Sequence, residues 1–397
     1  MYTCQNCSKK LKISLINMGS VPVANHLLLK KDQSCKTYPL EVFLCKKCKL
    51  YQLGKRLNPK TIFNNYFYHS SYSSTFLEHA KKFVNDICKK LDFTKNNFIL
   101  EIASNDGYLL KNFDKKKFKV LGIEPSTNVA IIAKSLGVNT ENKFFNIGTA
   151  KFIKKKYGNP KLIIANNVLA HVPNIKVFFK SLDIIATSET IISIEFPSVK
   201  NLIKFNQFDT IYHEHYTYLS LSTVEKILEE FTMKVFKVEK LRTHGGSLRI
   251  WISKTPKKIY NSVLNERISE TNEKIFETNV RKIFSKNAEN KRKKFLNFIE
   301  EKIKLNKIIS AYGAAAKGIS FLNYCGPKAK YISSVFDKNK MKQGCFIPGL
   351  NIKILDPIEI KKLKPDYVVI LPWNLKNEIK NELEFIKSWG GKFISFD

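Results

Sequence analysis

Phe98-Ile99-Leu100-Glu101-Ile102, running straight into Ala103-Ser104-Asn105-Asp106-Gly107, is the stretch that decides the fold. A short run of large apolar groups around one charge reads as a strand buried on both faces. The small and turn-forming residues behind it bring the backbone close to a ligand and open a helix whose first N–H groups are free. Lys119-Val120-Leu121-Gly122-Ile123-Glu124 repeats the pattern, and Leu162-Ile163-Ile164-Ala165 and Thr190-Ile191-Ile192-Ser193-Ile194 continue it. Strands alternating with helix-like runs over 98–240 predict an α/β fold built on a doubly wound parallel sheet with helices on both faces.

Upstream, Phe76, Ala80, Phe83, Val84 and Ile87 repeat at helical spacing and predict an amphipathic helix over 76–90. Downstream, 260–306 is helical, with Ile268, Ile275, Phe284, Phe295 and Ile303 among its apolar positions. A further α/β unit follows. Its first strand is Lys307–Tyr312, its first turn Gly313–Gly318, and Tyr331–Asp337 and Tyr367–Leu371 are later strands.

A chain of 397 residues exceeds one ordinary core and predicts two or three domains. No apolar run approaches the roughly 18 to 20 residues of a membrane span. The opening Met1–Cys7 lacks the basic-then-apolar layout of a signal peptide, so the expected location is the cytoplasm. The formal charge of +34 raises a nucleic-acid reading, but the lysines spread along the whole length and arginine is scarce. That distribution fits background composition with a mild preference for anionic substrates. The cluster Lys291-Arg292-Lys293-Lys294 reads as a solvated helix face.

Among eight cysteines, four pair by spacing, Cys4-x-x-Cys7 and Cys45-x-x-Cys48. Two such knuckles in one short segment point to structural zinc, because each closes a tight turn around a tetrahedral ion and four sulfurs leave no open position. A redox pair would need one Cys-x-x-Cys opening a helix, a setting that neither knuckle has. Cys35, Cys88, Cys325 and Cys345 read as small buried hydrophobes.

Five constellations carry candidate chemistry. The turn after Glu101 has only Gly107 where a dinucleotide fingerprint needs three glycines, so a pyrophosphate fits poorly. With Glu124 closing the second strand, where a carboxylate accepts ribose hydroxyls, the pair favours an adenosyl ligand without a diphosphate, S-adenosylmethionine. The run Ala165-Asn166-Asn167-Val168-Leu169-Ala170-His171-Val172-Pro173 places His171 at the carboxyl edge of the sheet, where ligands sit. In Phe208-Asp209-Thr210-Ile211-Tyr212-His213-Glu214-His215-Tyr216 the histidines are two apart. A helix would turn them about 200° from each other, whereas an extended segment puts alternate residues on one side. That suits several proton-handling groups around one pocket, beside a carbonyl, better than a metal pair.

Thr243-His244-Gly245-Gly246-Ser247-Leu248-Arg249 has two readings. It is a close backbone with Arg249 for a phosphate or carboxylate, or a hairpin turn into an edge strand. Gly313-Ala314-Ala315-Ala316-Lys317-Gly318 reads either as a phosphate cradle or as close strand–helix packing.

On the cysteine knuckles, Glu101–Gly107, Asn167–Pro173, Tyr212–His215, His244–Ser247 and Gly313–Gly318, the whole chain resembles the S-adenosylmethionine-dependent sugar C-methyltransferases that act on nucleotide-linked 4-keto-deoxysugars. The resemblance implies a zinc-binding module over 1–65, a class I methyltransferase domain over 66–255, and a linking helix with a C-terminal Rossmann-like substrate domain over 256–397. It implies Tyr66, His171, Tyr212, Glu214 and His215 as catalytic groups, and Cys4, Cys7, Cys45 and Cys48 as zinc ligands. Glu101, Ala103, Asn105, Gly107, Tyr108, Leu109, Glu124, Pro125, Asn166 and Asn167 are the expected contacts to S-adenosylmethionine. Tyr68, Ser71, His244, Gly246, Arg249 and Lys317 are the expected substrate contacts. Ala103 stands where the family usually has glycine, a mild steric change.

The expected mechanism removes the C3 proton beside a C4 ketone, with His215 as base, Glu214 orienting or tuning it, and Tyr66, Tyr212 and His171 holding the sugar and its enolate. The product is a branched sugar for surface glycans or glycosylated metabolites, made by a monomer with no nucleic-acid or membrane partner. Competing readings are an O- or N-methyltransferase of a sugar or related small molecule, and a zinc-containing RNA-binding or RNA-modifying protein.

Overall fold

The computed structural model describes residues 2–63, 70–72, 74–91 and 93–396, the side chains of 72, 74 and 244 excepted. Tyr66 and Tyr68 lie outside the described residues, as does the side chain of His244.

Near the N-terminus Ile13–Pro22 (β1), Thr37–Leu44 (β2) and Tyr51–Leu53 (β3) form an antiparallel sheet that the cysteine spacing alone does not announce. The central sheet follows the expected rhythm. Phe98–Ile102 (β4), Lys119–Ile123 (β5), Thr140–Glu141 (β6), Leu162–Asn166 (β7) and Ile191–Pro197 (β8) run parallel in the order β6-β5-β4-β7-β8. The order reverses between β4 and β7, so their carboxyl ends flank a crevice at the switch point.

Thr217–Tyr218 (β9) leaves this domain and pairs antiparallel with β3, completing the N-terminal sheet. Lys234–Leu241 (β10) and Ser247–Ser253 (β11) form a hairpin added to β8. The strand behind His244-Gly245-Gly246 is therefore interior, not an edge, and β10 is the edge. Burial explains the choice, because Leu248, Ile250 and Ile252 are at most 2% exposed and need cover on both sides.

Residues near 260–306 make two helices, Asn261–Asn272 and Thr278–Lys304, separated by a turn in which Lys274 takes φ of 49°. The C-terminal sheet is parallel throughout, from Ile309–Tyr312 (β12), Val335–Phe336 (β13), Ile354–Leu355 (β14), Tyr367–Ile370 (β15) and Lys392–Ile394 (β16) in the order β14-β13-β12-β15-β16. The expected strand Tyr331–Asp337 shrinks to Val335–Phe336 because a short helical turn from Pro327 occupies the chain as far as Tyr331.

Strand alternation distributes the core. Phe98, Leu100 and Ile102 pack in one cluster with Cys4, Cys45 and Cys48, while Ile99 packs in another with Ala80, Phe83, Val84 and Ile87 of the helix Ser74–Lys90. The first cluster also holds Ala150 and Ile153 of the helix Ile147–Tyr157 and Phe178 and Leu182 of the helix Ile175–Ile185, so helices pack on both faces of the central sheet and the cysteine-rich module joins the core of one of them. Each fully buried side chain of this kind contributes about 1.5–3 kcal/mol.

The hairpin turn depends on Gly246, whose φ is 111° and whose added Cβ would lie 2.1 Å from Asn201 Nδ2. At Gly19 φ is 81° but nothing lies within 4 Å of a Cβ. Urea unfolding should therefore show Gly246→Ala losing about 2–4 kcal/mol and Gly19→Ala only about 1 kcal/mol. Equal losses would contradict the Asn201 contact.

Candidate active site

At the carboxyl end of β4 the chain enters three left-handed residues within five, Ala103 (φ 53°), Asn105 (φ 50°) and Gly107 (φ 76°). This kink turns backbone and side chains around Glu124, at the end of β5, whose two oxygens accept the Asn105 N–H at 3.0 Å and the Ser126 N–H at 2.8 Å. Burial pushes the Glu124 carboxyl up to about 7 despite those two bonds. Glu101 is pushed well above the carboxylate range, by burial first and then by the charges of Asp106 and Glu124. Among the described residues Glu101 Oε2, Ser104 Oγ and Asp106 Oδ1 are buried without a partner. Gly122 makes room for this group, since a Cβ there would meet Ser104 Oγ at 2.3 Å.

Across the switch point, the buried Asn166 Oδ1 and both amide atoms of Asn167, a residue with φ of 55°, are also unpartnered. The structure thus gathers Glu101, Ala103, Asn105, Gly107, Asn166 and Asn167 at adjacent strand ends, with Glu124 one strand over and Pro125 next to it. Tyr108 and Leu109 take core positions with the helix Ser74–Lys90, Tyr108 stacking on Phe76 at 5.0 Å. The same turn holds the incoming serine segment, as the Ser70 N–H donates to Asn105 Oδ1 (2.9 Å) and the Ser71 N–H to Asp106 Oδ2 (3.1 Å).

The histidine-rich loop is a turn rather than an extended strip. The His215 N–H returns to the Tyr212 carbonyl at 3.0 Å, which sets residues three apart side by side. Tyr212 Oη lies 2.8 Å from His215 Nε2, with the rings 4.1 Å apart. His215 Nδ1 lies 2.8 Å from the Thr210 carbonyl. A carbonyl only accepts, so Nδ1 carries the proton in the neutral ring and Nε2 is left as the acceptor of the Tyr212 hydroxyl. His171 stands 4.7 Å from His215, edge to face, with its Nδ1 2.9 Å from the Glu214 carbonyl.

Two expectations need correction. His213 does not share the side of His215, because the turn sends it to the Tyr38 carbonyl at 3.2 Å, buried and with its pKa lowered by desolvation. Glu214 does not orient His215, whose ring nitrogens are taken by Thr210 and Tyr212. The Glu214 carboxylate instead accepts from Asn25 Nδ2 at 2.7 and 2.8 Å.

Arg249 is likewise spent inside the protein. Its Nη2 donates to Glu195 Oε2 at 2.9 Å and its Nη1 to Glu239 Oε2 at 3.2 Å, with only 7% of the side chain exposed, so the carboxylate it meets is the protein's own. Glu195, on β8, lies inside an apolar run, where nothing local in the sequence marks its partners. Burial alone would push its carboxyl up, but bonds from His79 and Thr243 and the Arg249 charge hold it at about 2.

Lys317 donates to Asn374 Oδ1 at 2.6 Å and lies 4.7 Å over the Trp373 ring. Trp373 Nε1 in turn donates to Asp209 Oδ2 at 2.6 Å. Burial pushes the Asp209 carboxyl up against the neighbouring Lys317 charge, and lowers Lys317 in spite of Asp209. A cavity of about 420 Å³ opens beside them, walled by Phe208, Phe321, Leu371 and Trp373.

The two cysteine knuckles are built alike. Ser8 and Lys49, each following the second cysteine, are left-handed (φ 57° and 60°), and their N–H groups return to the Cys4 and Cys45 carbonyls at 2.9 Å. The four sulfurs lie within 4.8 Å of one another, and the Cys4–Cys48 and Cys7–Cys45 pairs are 3.5 Å apart. The hydrogen bond with Cys48 draws the Cys4 thiol down to about 4, with help from the Gln52 amide at 3.0 Å.

Residues 4–63 match a family described as a zinc binding domain, 76–237 a methyltransferase domain, and 242–396 the C-methyltransferase C-terminal domain. The C-methyltransferase NovU of Streptomyces niveus is 28% identical over 396 residues, covering 98% of this chain and 94% of that protein. The chain belongs to the S-adenosylmethionine-dependent C-methyltransferases with an N-terminal zinc module. Among solved structures, the plantazolicin methyltransferase BpumL in complex with SAH gives a TM-score of 0.37 at 17% identity, over 46% of this chain and 84% of its own. An Anabaena variabilis methyltransferase gives 0.36 at 14%, over 44% and 84%.

The residues fit both groups that this methyltransferase uses. Tetrahedral zinc with Zn–S of about 2.3 Å needs sulfurs about 3.8 Å apart, inside the observed spread. The unpartnered acceptors on Glu101, Ser104, Asp106 and Asn166, under backbone kinked open by left-handed residues, suit the hydroxyl and ammonium donors of S-adenosylmethionine.

Chelation, or Cys45→Ser, should remove a single equivalent of zinc with a cooperative loss of β1–β3, checked by metal analysis and circular dichroism. Glu195 sets an acid limit. Its folded pKa of about 2 lies below the ordinary 4.5, so its contribution is present above 4.5 and disappears as pH falls from there towards 2. Glu195→Gln should abolish roughly 3 kcal/mol of that pH-dependent stability, read as a flatter unfolding curve below about pH 5.

Proposed function

We propose that this C-methyltransferase methylates C3 of a nucleotide-linked 4-keto-deoxysugar through an enolate. The observation that carries the reading is the Tyr212–His215 hydrogen bond at 2.8 Å, with the other imidazole nitrogen held by the Thr210 carbonyl. A sugar carbon becomes nucleophilic only by losing a proton, and a neighbouring ketone is what makes that proton removable. A poised neutral imidazole is the matching base. S-adenosylmethionine, held by Glu101, Asn105, Glu124 and Asn166, supplies an electrophilic methyl group on sulfonium.

The remaining work falls to the protein's own side chains. With Nε2 occupied, the C3 proton reaches His215 through the Tyr212 hydroxyl, which takes it as its own proton passes to Nε2. His171, its Nδ1 donating to the Glu214 carbonyl and its ring 4.7 Å from that of His215, would as imidazolium donate to the enolate oxygen. Donors aimed at developing charge in a water-poor site can contribute a factor of roughly 10². Tyr66, Tyr68, Ser71 and Gly246 are taken as sugar contacts on the family resemblance. The nucleotide end would extend towards the cavity beside Asp209 and Trp373, which Lys291 also lines, with Lys317 over the Trp373 ring.

On this reading the chain acts as a monomer. Its domains divide at 1–65, 66–255 and 256–397, a division supported by β11, which ends at Ser253 and is hydrogen-bonded into the central sheet. A four-thiol zinc set favours a reducing compartment, the cytoplasm. Among the described residues no helix is long and apolar enough to cross a membrane.

Incubation with labelled S-adenosylmethionine and a panel of nucleotide-linked ketosugars tests the substrate class. Methylation of the reduced, hydroxyl form but not the ketone would sink it. In deuterated buffer without cofactor, His215→Asn and Tyr212→Phe should each slow C3 proton exchange by roughly 10² to 10⁴ while binding S-adenosylmethionine normally. Wild-type exchange in Tyr212→Phe would place the proton on His215 directly.

A further inference from the structure

Glu214 carries its carboxyl group into the interior with 1% of the residue exposed. Its Asn25 partner comes from 189 residues away in the chain. Asn25 lies in the turn behind β1, where the His26 N–H returns to the Val23 carbonyl at 3.1 Å, and it is itself 7% exposed. An amide nitrogen only donates, so both contacts run from Asn25 Nδ2 to the Glu214 carboxyl oxygens and have one sense. The Glu214 carbonyl receives His171 Nδ1, and Glu214 sits inside the Tyr212–His215 turn. The Asn25 contact therefore bears on both the support of one imidazole and the bend that pairs the other with Tyr212.

We infer that Asn25 is a positioning residue for methyl transfer. It acts through Glu214 to hold His171 and the Tyr212–His215 pair in register, and it is one of the points at which the cysteine-rich module reaches these groups, beside Phe63 against the His171 ring. The inference rests on the roles proposed above for those three residues. Asn25→Asp keeps the shape but sets carboxylate against carboxylate, and Asn25→Leu removes the donor. The double variant Asn25→Asp with Glu214→Gln restores an amide–carboxylate pair with the roles exchanged.

Each variant is to be compared with wild type in zinc content, S-adenosylmethionine affinity by calorimetry, kcat and KM on whichever panel ketosugar wild type methylates, and nitrogen NMR of the imidazole rings. In both single variants we expect zinc and cofactor affinity within about two-fold of wild type, and kcat down by about ten- to a hundred-fold with a smaller change in KM. The Nδ1–H tautomer signal of His171 should weaken while the ring signals of His79, held at Glu195, stay. The double variant should recover about ten-fold in kcat over Asn25→Asp. Should Asn25→Leu fail to fold, Asn25→Asp and its rescue decide the matter. Wild-type kcat and an unchanged His171 spectrum in Asn25→Asp would overturn the inference, as would a double variant no better than Asn25→Asp. His215→Asn keeps the two ideas apart. If it turns over like wild type the proposed base is wrong, whereas a dead His215→Asn beside fully active Asn25 variants refutes only the role of Asn25.

Discussion

The strip from Phe208 to Tyr218 is anchored residue by residue to other parts of the molecule, and the site depends on that anchoring. Asp209 is held by Trp373 and the Ile211 carbonyl by Ser320, both from the C-terminal domain. His213, Glu214 and Tyr216 are held by Tyr38, Asn25 and Leu57, all from the N-terminal module. Thr217–Tyr218 then becomes a strand of that module's sheet. A loop of irregular backbone buried this deeply has polar groups that water does not reach, so each must find a partner in protein. Those partners are what convert a flexible turn into a fixed pair of imidazoles and a phenol.

This arrangement gives the zinc a purpose beyond holding a small domain together. Cys45 and Cys48 lead directly into β3, and β3 pairs with β9 immediately after His215. With four thiolates as ligands a bound zinc would keep no open position for chemistry and would stiffen the sheet that closes the loop from one side, while Trp373 and Ser320 close it from the other.

Electrostatics divides the site into two regions of different character. At the strand ends of β4 and β5 three carboxyl groups share one desolvated pocket, so Glu101 and Glu124 titrate high, and among the described residues Glu101 Oε2 and Asp106 Oδ1 are left without a partner. Around β8 the opposite holds. Glu195 is surrounded by His79, Arg249 and Thr243 and titrates low, which makes it a strut between the sheet, the helix Ser74–Lys90 and the hairpin turn.

By itself the sequence determined whatever depends on near neighbours. The buried strands, the two knuckles, the amphipathic helix and the turn after Glu101 follow from apolar periodicity and residue chemistry within a dozen positions. It also marked Tyr212, His215 and His171 as a proton-handling group. Only the tertiary structure decided what those groups do to one another. That Glu214 answers to Asn25 rather than to His215, that His213 faces Tyr38, and that Arg249 is consumed by Glu195 are contacts between residues up to 189 positions apart. The physical reason is that a polar side chain declares only that it needs a partner. Which partner it meets is set by how strands stack and where a turn reverses, and no local pattern carries that information.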